Sequence, residues 1–144
     1  MTPDWFAIAL LPLIAAGAWM TVLTILSYIS GWRKLAADYA YKDPFNGSTW
    51  RFQSAEMRWL GIRNCLVIGA NEQGLYLRMM WLFSFWHPPL LIPWKSLSVH
   101  KKKKLWAEGV EFNLGPAPGV PFWVWSATAN LIQTAAGPQF PRIS

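Results

Sequence analysis

The longest uncharged stretch of the chain is the feature that most constrains its fold. No charged residue occurs from Trp5 to Trp32, and residues 5–29 are almost all aliphatic, small or aromatic. As an α-helix this span would be about 37 Å long at ~1.5 Å per residue, enough to cross a bilayer core of ~30 Å. Trp5 at one end and Tyr28 with Trp32 at the other match the aromatic belts of membrane interfaces. We therefore predict a transmembrane helix within residues 1–30.

Two other interpretations of this stretch are weaker. A cleaved signal peptide, with residues 5–15 as its apolar region and residues 16–18 as its cleavage site, should begin with a basic residue. Here the one charged residue before the stretch is Asp4, and the apolar run continues well past the possible cleavage site. A buried core helix of this length without a polar face is unusual in so short a chain. A permanent membrane anchor is therefore the favoured interpretation.

The charges on either side of the stretch predict its orientation. Asp4 precedes it, Arg33 and Lys34 follow it, and all 13 basic residues lie after residue 30. Basic residues flanking a transmembrane helix favour the cytoplasmic side. The N-terminus is accordingly predicted to lie in the periplasm and the C-terminal part in the cytoplasm.

Composition excludes two classes of protein. Of the 144 residues, 53% are apolar and 14% are charged, and 11 are Trp, which is the opposite of a disordered chain. A single cysteine, Cys65, rules out an intramolecular disulfide scaffold. The part that follows the anchor should therefore fold around a hydrophobic core.

The segment after the anchor, residues 31–47, is predicted to be a juxtamembrane amphipathic helix and a linker. Apolar side chains recur at helical spacing in residues 31–43. Pro44 and the Asn46-Gly47 pair should end this helix. It would lie on the lipid headgroups or on the domain, a role that we favour over binding a partner.

The chain then changes to short runs typical of β-strands. A switch in the alternation at Gln53 and Ser54 predicts a β-bulge in the first run. In residues 75–85 the odd-numbered side chains should share one face, and the far half is apolar on both faces. The predicted strands cover residues 49–59, 64–69, 75–85, 90–92, 97–100, 105–106, 110–114 and 120–125.

A helix should follow the strands. Ser126 is a candidate N-cap for a helix over residues 127–136, which Gly137-Pro138 ends, and Leu131 and Ile132 should dock on the sheet. The predicted fold class is thus membrane-anchored α+β, with one N-terminal transmembrane helix and a pleckstrin-homology-like (PH-like) antiparallel β-barrel or sandwich. That domain would have about seven strands and a C-terminal helix, occupy residues 48–138, and leave residues 139–144 as a tail.

Several short motifs resemble those of a family of uncharacterised, small bacterial single-pass membrane proteins. The carrying segments are residues 30–36, 44–47, 50–55, 74–77 and, most distinctively, the His-Pro-Pro-Leu-Leu-Ile-Pro-Trp run of residues 87–94. The resemblance implies a location in the bacterial inner (cytoplasmic) membrane. It implies no catalytic activity, since none of these motifs is catalytic.

Residues suited to catalysis are few. His87, His100 and Cys65 do not stand at metal-ligand spacing, and the sequence contains no nucleophile-elbow or phosphate-binding motif. His87 beside two prolines is interpreted as a turn residue, and Cys65 within an apolar run as a core residue. The prediction is a protein that is not an enzyme and that uses no cofactor or metal.

The clearest charged feature is the run Lys101, Lys102, Lys103 and Lys104, expected at a strand end or in a hairpin loop. It is either a solvated turn or a surface attracted to anionic lipid headgroups at about 1 kcal/mol per lysine. No RNA-binding signature accompanies it, so nucleic acid is not expected as a partner. The predicted headgroup contacts are Lys101, Lys102, Lys103, Lys104, Arg58, Arg63, Arg33 and Lys34.

The aromatic run after residue 80 needs a cover, because a small domain leaves one face of such a strand exposed. Trp81, Phe83, Phe85 and Trp86 are therefore predicted to contact a partner subunit or the bilayer. These features favour a non-catalytic accessory subunit or assembly factor of an integral inner-membrane protein complex. The alternative is an anionic-lipid-binding adaptor that uses the lysine run.

Overall fold

The fold was examined in a computed structural model, which describes residues 4–84, 86–104 and 107–144. The apolar N-terminal helix is followed by a short helix, seven strands and a last helix. Their bounds are α1 Asp4–Ile29, α2 Trp32–Tyr39, β1 Ser48–Met57, β2 Leu60–Ala70, β3 Gly74–Met79, β4 Leu90–Pro93, β5 Leu97–Lys101, β6 Gly109–Leu114, β7 Val120–Trp125 and α3 Ser126–Ala136.

Helix α1 is long and apolar enough to cross a membrane. Its 26 residues have a mean hydropathy of 2.1 over the most apolar window, of which 6% is buried against the rest of the protein. Its hydroxyl groups bond within the helix, Thr21 to the Gly17 carbonyl and Thr24 to the Met20 carbonyl, both at 2.8 Å. Such internal bonding suits a helix surrounded by lipid. The small buried share excludes a core helix of the kind considered above.

The seven strands form one antiparallel sheet that curls into a near-barrel. The strand order is β4-β3-β2-β1-β7-β6-β5, so β4 and β5 are its two edges, and a 3-10 turn over Trp94–Ser96 joins them. Pro93 lies at the end of edge strand β4, where a missing backbone donor is tolerated. The predicted fold class is therefore confirmed: an apolar N-terminal helix, a seven-stranded antiparallel barrel-like domain and a C-terminal helix.

Strand β1 carries the predicted bulge. Its pairing with β2 shifts register between Trp50 and Gln53 and again between Gln53 and Ala55, and Phe52 has a φ of 56°. Before the bulge β1 pairs with β2, and after it Glu56 and Met57 pair with β7 as well. The bulge thus bends β1 so that it belongs to both halves of the barrel.

The helices α2 and α3 pack on the barrel. Trp32 and Leu35 of α2 are buried in the core, so this helix lies on the domain. It is shorter than predicted, because Ala40 already forms a β-bridge with Leu90 of β4. In α3 the predicted docking of Ile132 is confirmed, whereas that of Leu131, which is 44% exposed, is wrong. Adjacent helical residues point about 100° apart, so only one of the two can face the sheet.

The structure corrects two predictions, one about where helix α3 begins and one about where strand β3 ends. Ser126 is the first residue of α3 and Trp125 holds the capping position, without a side-chain hydrogen bond. The strand predicted over residues 75–85 ends at Met79, and a 3-10 turn over Trp81–Phe83 follows it. Trp81 and Phe83 therefore do not share a strand face: Trp81 is exposed, while Phe83 packs against the core. The short strand predicted over residues 105–106 lies outside the described residues, as does Phe85.

Candidate functional site at the junction of helix α1 and the barrel

The C-terminus of α1 is capped by a side chain of the barrel. Arg58, in the β1–β2 turn, donates from Nη1 to the Ile29 carbonyl at 3.3 Å. A cation at a helix C-terminus is favoured by the helix dipole and satisfies an orphan carbonyl. Gly31, two residues after the end of α1, adopts a φ of +86°, and a Cβ there would lie 2.9 Å from the Val120 side chain. Close approach of β7 to this turn therefore requires glycine, and the junction is tightly packed.

Trp32 anchors the second side of the junction. Its side chain is fully buried, and its Nε1 donates to the Pro88 carbonyl at 2.8 Å. Its ring meets the His87 ring edge-on at 5.4 Å between centroids, and His87 is itself buried. The His-Pro-Pro segment thus holds the start of α2 in place, in agreement with the expected turn role of His87.

The 3-10 turn after β3 runs back along α1. Trp19 of α1 donates from Nε1 to the Leu82 carbonyl at 2.9 Å, and its ring packs on Phe83 at 5.2 Å. Trp19 precedes Ile29 by ten residues, or about 15 Å along the helix axis. Trp81 and Leu82 project from this turn, 73% and 46% exposed. If α1 spans a bilayer, these two side chains lie at the depth of the acyl chains.

The backbone of this turn is largely hydrogen-bonded within itself. Phe83 N–H bonds to the Met80 carbonyl at 2.8 Å, Ser84 N–H and Oγ both bond to the Trp81 carbonyl, and His87 N–H bonds to the Ser84 carbonyl. A non-helical segment can lie at membrane depth only when its polar groups have such partners. These bonds, together with the Trp19 bond to the Leu82 carbonyl, lower the cost of placing the turn at membrane depth.

Basic and aromatic side chains meet near the end of α1. The Arg33 guanidinium lies over the Tyr28 ring at 4.7 Å and near the Trp86 ring at 5.9 Å from the centroid. Lys34 beside it is exposed. A cation stacked on aromatic rings is the composition expected of a membrane–water interface.

A mainly apolar cavity of about 230 Å³ lies between α1, β2 and the turn after β3. Leu23 and Leu26 of α1 form one wall, and Ile62 and Cys65 of β2 form another. Arg63 is also on its lining and is exposed. Burial raises the pKa of the Cys65 thiol, and a hydrogen bond with the backbone of Arg63 offsets part of that rise. The predicted core position of Cys65 is confirmed, since the residue is buried.

The lysine run leaves the end of β5, as predicted, but it is partly neutralised. Lys102 Nζ lies 3.0 Å from Glu111 Oε2 and Lys104 Nζ lies 3.2 Å from Glu56 Oε1. Glu111 is buried, and its Oε1 also lies 3.3 Å from His100 Nε2. Lys101 and Lys103 form no ion pair with a described residue. The run therefore presents fewer free charges than four consecutive lysines suggest.

The predicted contact residues fall into two separate groups. The structure brings Arg33, Trp86 and Phe83 to the surroundings of α1, with Arg58 capping the helix and Arg63 on the cavity. The lysine run belongs to the β5–β6 connection instead. Within the described ranges no cluster of His, Cys, Asp or Glu could hold a metal ion.

Sequence reasoning missed the role of Trp19. An indole in the middle of an apolar helix carries a donor that lipid cannot satisfy. That signal predicts a polar partner beside the helix, which the structure identifies as the Leu82 carbonyl.

Comparisons with known proteins identify no relative of this chain. No family model matches it, and neither a curated protein nor a solved structure is significantly similar. By its fold, the protein is a small barrel-like domain joined to an apolar N-terminal helix.

Proposed function

We propose that this protein is a non-catalytic accessory subunit or assembly factor of a membrane protein complex. It would contact an integral membrane partner through α1 and the aromatic surface beside it, which we define as Trp81, Leu82 and Trp86. The observation that carries the proposal is the Trp19–Leu82 hydrogen bond of 2.9 Å, which holds this aromatic surface against α1.

The rigidity of the junction supports a binding role. Arg58 caps α1, Trp32 bonds to Pro88, and Trp19 bonds to Leu82, so the helix and the barrel are joined at three points. A helix that served only as a tether would need no such fixed orientation. Fixing the helix and the aromatic surface together reduces the entropy lost when both bind a partner.

The same structure gives less support to the alternative, an adaptor drawn to anionic lipids by the lysine run. Two of the four ammonium groups already pair with Glu111 and Glu56. Since each free lysine contributes about 1 kcal/mol near an anionic surface, pairing removes much of the expected attraction.

For localisation, we propose the bacterial inner membrane, with the N-terminus in the periplasm and the barrel in the cytoplasm. Support comes from the apolar length of α1 and from the basic residues on its C-terminal side. A mature protein that retains Met1 or Thr2 and resists carbonate extraction is the expected result. A mature N-terminus near residue 19 would instead identify a cleaved signal peptide.

The partner surface can be tested by site-specific photocross-linking in cells. A photoreactive amino acid at position 82 is expected to give a cross-linked protein of one defined mass, identified by mass spectrometry. The matched control is position 131, an exposed apolar residue of α3, where no such product is expected. Trp81→Ser should weaken the product from position 82, whereas Trp59→Ser, a change at another exposed tryptophan, should not.

Two results would contradict this proposal. One is a cross-link from position 82 to lipid alone. The other is equal cross-linking from positions 82 and 131, which would show that the aromatic surface has no special partner.

A further inference from the structure

The position of the cavity between α1 and β2 limits which ligands could enter it. Its α1 wall is formed by Leu23 and Leu26. These residues precede Ile29 by six and three positions, or roughly 9 and 5 Å along the axis. In a helix that spans the bilayer, both lie just inside the apolar core, where phospholipid is the most abundant neighbour.

The lining is mostly apolar and also includes the buried polar residues Ser30 and His87 and one basic residue, Arg63. Ile62, Met79 and Phe83 contribute to the interior, and Arg63 is exposed on the lining with no ion pair to a described residue. An unpaired guanidinium beside an apolar space matches the two parts of an anionic phospholipid, since Arg binds phosphate through two parallel hydrogen bonds.

We propose that this cavity binds one acyl chain of an anionic phospholipid from the leaflet that faces the barrel, with the lipid phosphate held by Arg63. The volume of about 230 Å³ is below the ~300–1,000 Å³ of ordinary small-molecule pockets. It suits part of one flexible chain, while the remainder of the lipid stays in the leaflet. The inference rests on the membrane location of α1 in the proposed function and is independent of any protein partner.

Native mass spectrometry of the full-length protein in mild detergent tests the site. The probes are phosphatidylglycerol and phosphatidylcholine with identical acyl chains, added in equal amounts. One bound phosphatidylglycerol is expected to be retained in preference to phosphatidylcholine. Arg63→Gln should reduce that preference about tenfold, the worth of a charge-assisted hydrogen bond. Arg51→Gln, a change at an exposed arginine of β1, should leave it unchanged.

The apolar half of the site needs a separate variant. Ile62→Phe fills the cavity and should abolish retention of both lipids, provided that thermal unfolding shows a folded protein. A phospholipid with a photoreactive group in its acyl chain gives a second readout on the unchanged protein. It should label residues 60–65 of β2 in preference to the outer half of α1.

Full retention of lipid by a folded Ile62→Phe variant would overturn the proposal, as would labelling spread evenly along α1. Equal retention of the two lipids by the unchanged protein would contradict selection of an anionic phospholipid by Arg63. If the protein sediments with carbonate-washed membranes and cross-links from position 82 but retains no lipid, only this inference fails.

Discussion

Arg58 shows how a single side chain joins the helix to the barrel. The sequence suggests a headgroup contact for it, but the structure places its guanidinium on the Ile29 carbonyl at 3.3 Å. The side chain thereby satisfies one of the four carbonyls that every helix leaves unpaired at its C-terminus. We therefore expect Arg58 to contribute mainly to the stability of the fold.

Replacing Arg58 should therefore destabilise the fold. Arg58→Ala is expected to lower the free energy of unfolding by about 1–2 kcal/mol, because it removes a charged hydrogen bond and a favourable helix-dipole interaction. Thermal unfolding in detergent, followed by circular dichroism, measures the change. Arg51→Ala removes an exposed arginine of β1 and should have little effect; equal losses in the two variants would contradict the capping role.

Hydrogen bonds from individual tryptophan side chains explain part of the unusually high tryptophan content. Among the described residues, four indole groups donate from Nε1 to backbone carbonyls distant in sequence: Trp19 to Leu82, Trp32 to Pro88, Trp94 to Asn71 and Trp123 to Lys102. Each bond fixes a loop or turn of the barrel while the ring fills apolar space. The high tryptophan count therefore reflects loop anchoring as well as surface contacts.

At the scale of elements, the β5–β6 connection combines charge and packing. Lys102 pairs with the buried Glu111, and the Lys102 carbonyl accepts the indole hydrogen bond of Trp123 at 2.7 Å. Lys104 pairs with Glu56 and lies 5.5 Å from the Trp123 ring centroid. This connection is thus tied to β1, β6 and β7 by alternate lysines.

The alternation predicts different outcomes for neighbouring lysines. Lys102→Ser should lower the free energy of unfolding by about 1 kcal/mol, because Glu111 loses a partner at 3.0 Å. Lys103→Ser should change it by less than about 0.5 kcal/mol, as is usual for an exposed position. Urea unfolding at low and high salt provides the measurement. The difference should shrink at high salt, and an equal effect of both substitutions would refute the assigned pairing.

How much of each element could be predicted depends on whether its signal is local. The apolar span and the bulge in β1 follow from nearby residues, and both are present. The end of β3 could not be predicted, because the apolar run of residues 75–85 continues well beyond Met79. The chain leaves the sheet there, where Phe83 packs on the Trp19 ring and the Leu82 carbonyl accepts the Trp19 hydrogen bond, contacts separated by more than 60 residues.

The candidate site was predictable in part for the same reason. Charge and aromatic content singled out Arg33 as a headgroup contact and Phe83 and Trp86 as partner or bilayer contacts. The structure places Arg33 on the Tyr28 ring and near Trp86, and Phe83 on the Trp19 ring, while the contacts with lipid or a partner stay predictions. The cavity was not predictable, since it arises only when Leu26 of α1 and Ile62 of β2 are brought together. The pairing of alternate lysines likewise depends on acids supplied by other strands.

At the scale of the whole molecule, the contacts of α1 determine how far the barrel can stand from a bilayer. The part of α1 before Trp19 covers residues 4–18, which is about 22 Å of helix and less than a bilayer core of ~30 Å. If α1 spans a bilayer, the remaining depth must come from residues 19–29, where Trp19 bonds to the barrel and Leu23 is buried. The Trp81–Phe83 turn is therefore expected to enter the leaflet along with them.

This depth can be measured on the purified protein in liposomes, where no partner is present to shield the turn. With Cys65 changed to Ala, cysteines are introduced as Leu82→Cys or Leu131→Cys and treated with a membrane-impermeant maleimide, with both membrane faces made accessible. Leu131→Cys should label to completion before detergent is added, because that side chain is exposed on α3. Leu82→Cys should remain largely unlabelled until detergent dissolves the bilayer. Equal labelling of the two before detergent would mean that the turn stays in water, and the helix would then have to cross a locally thinned membrane.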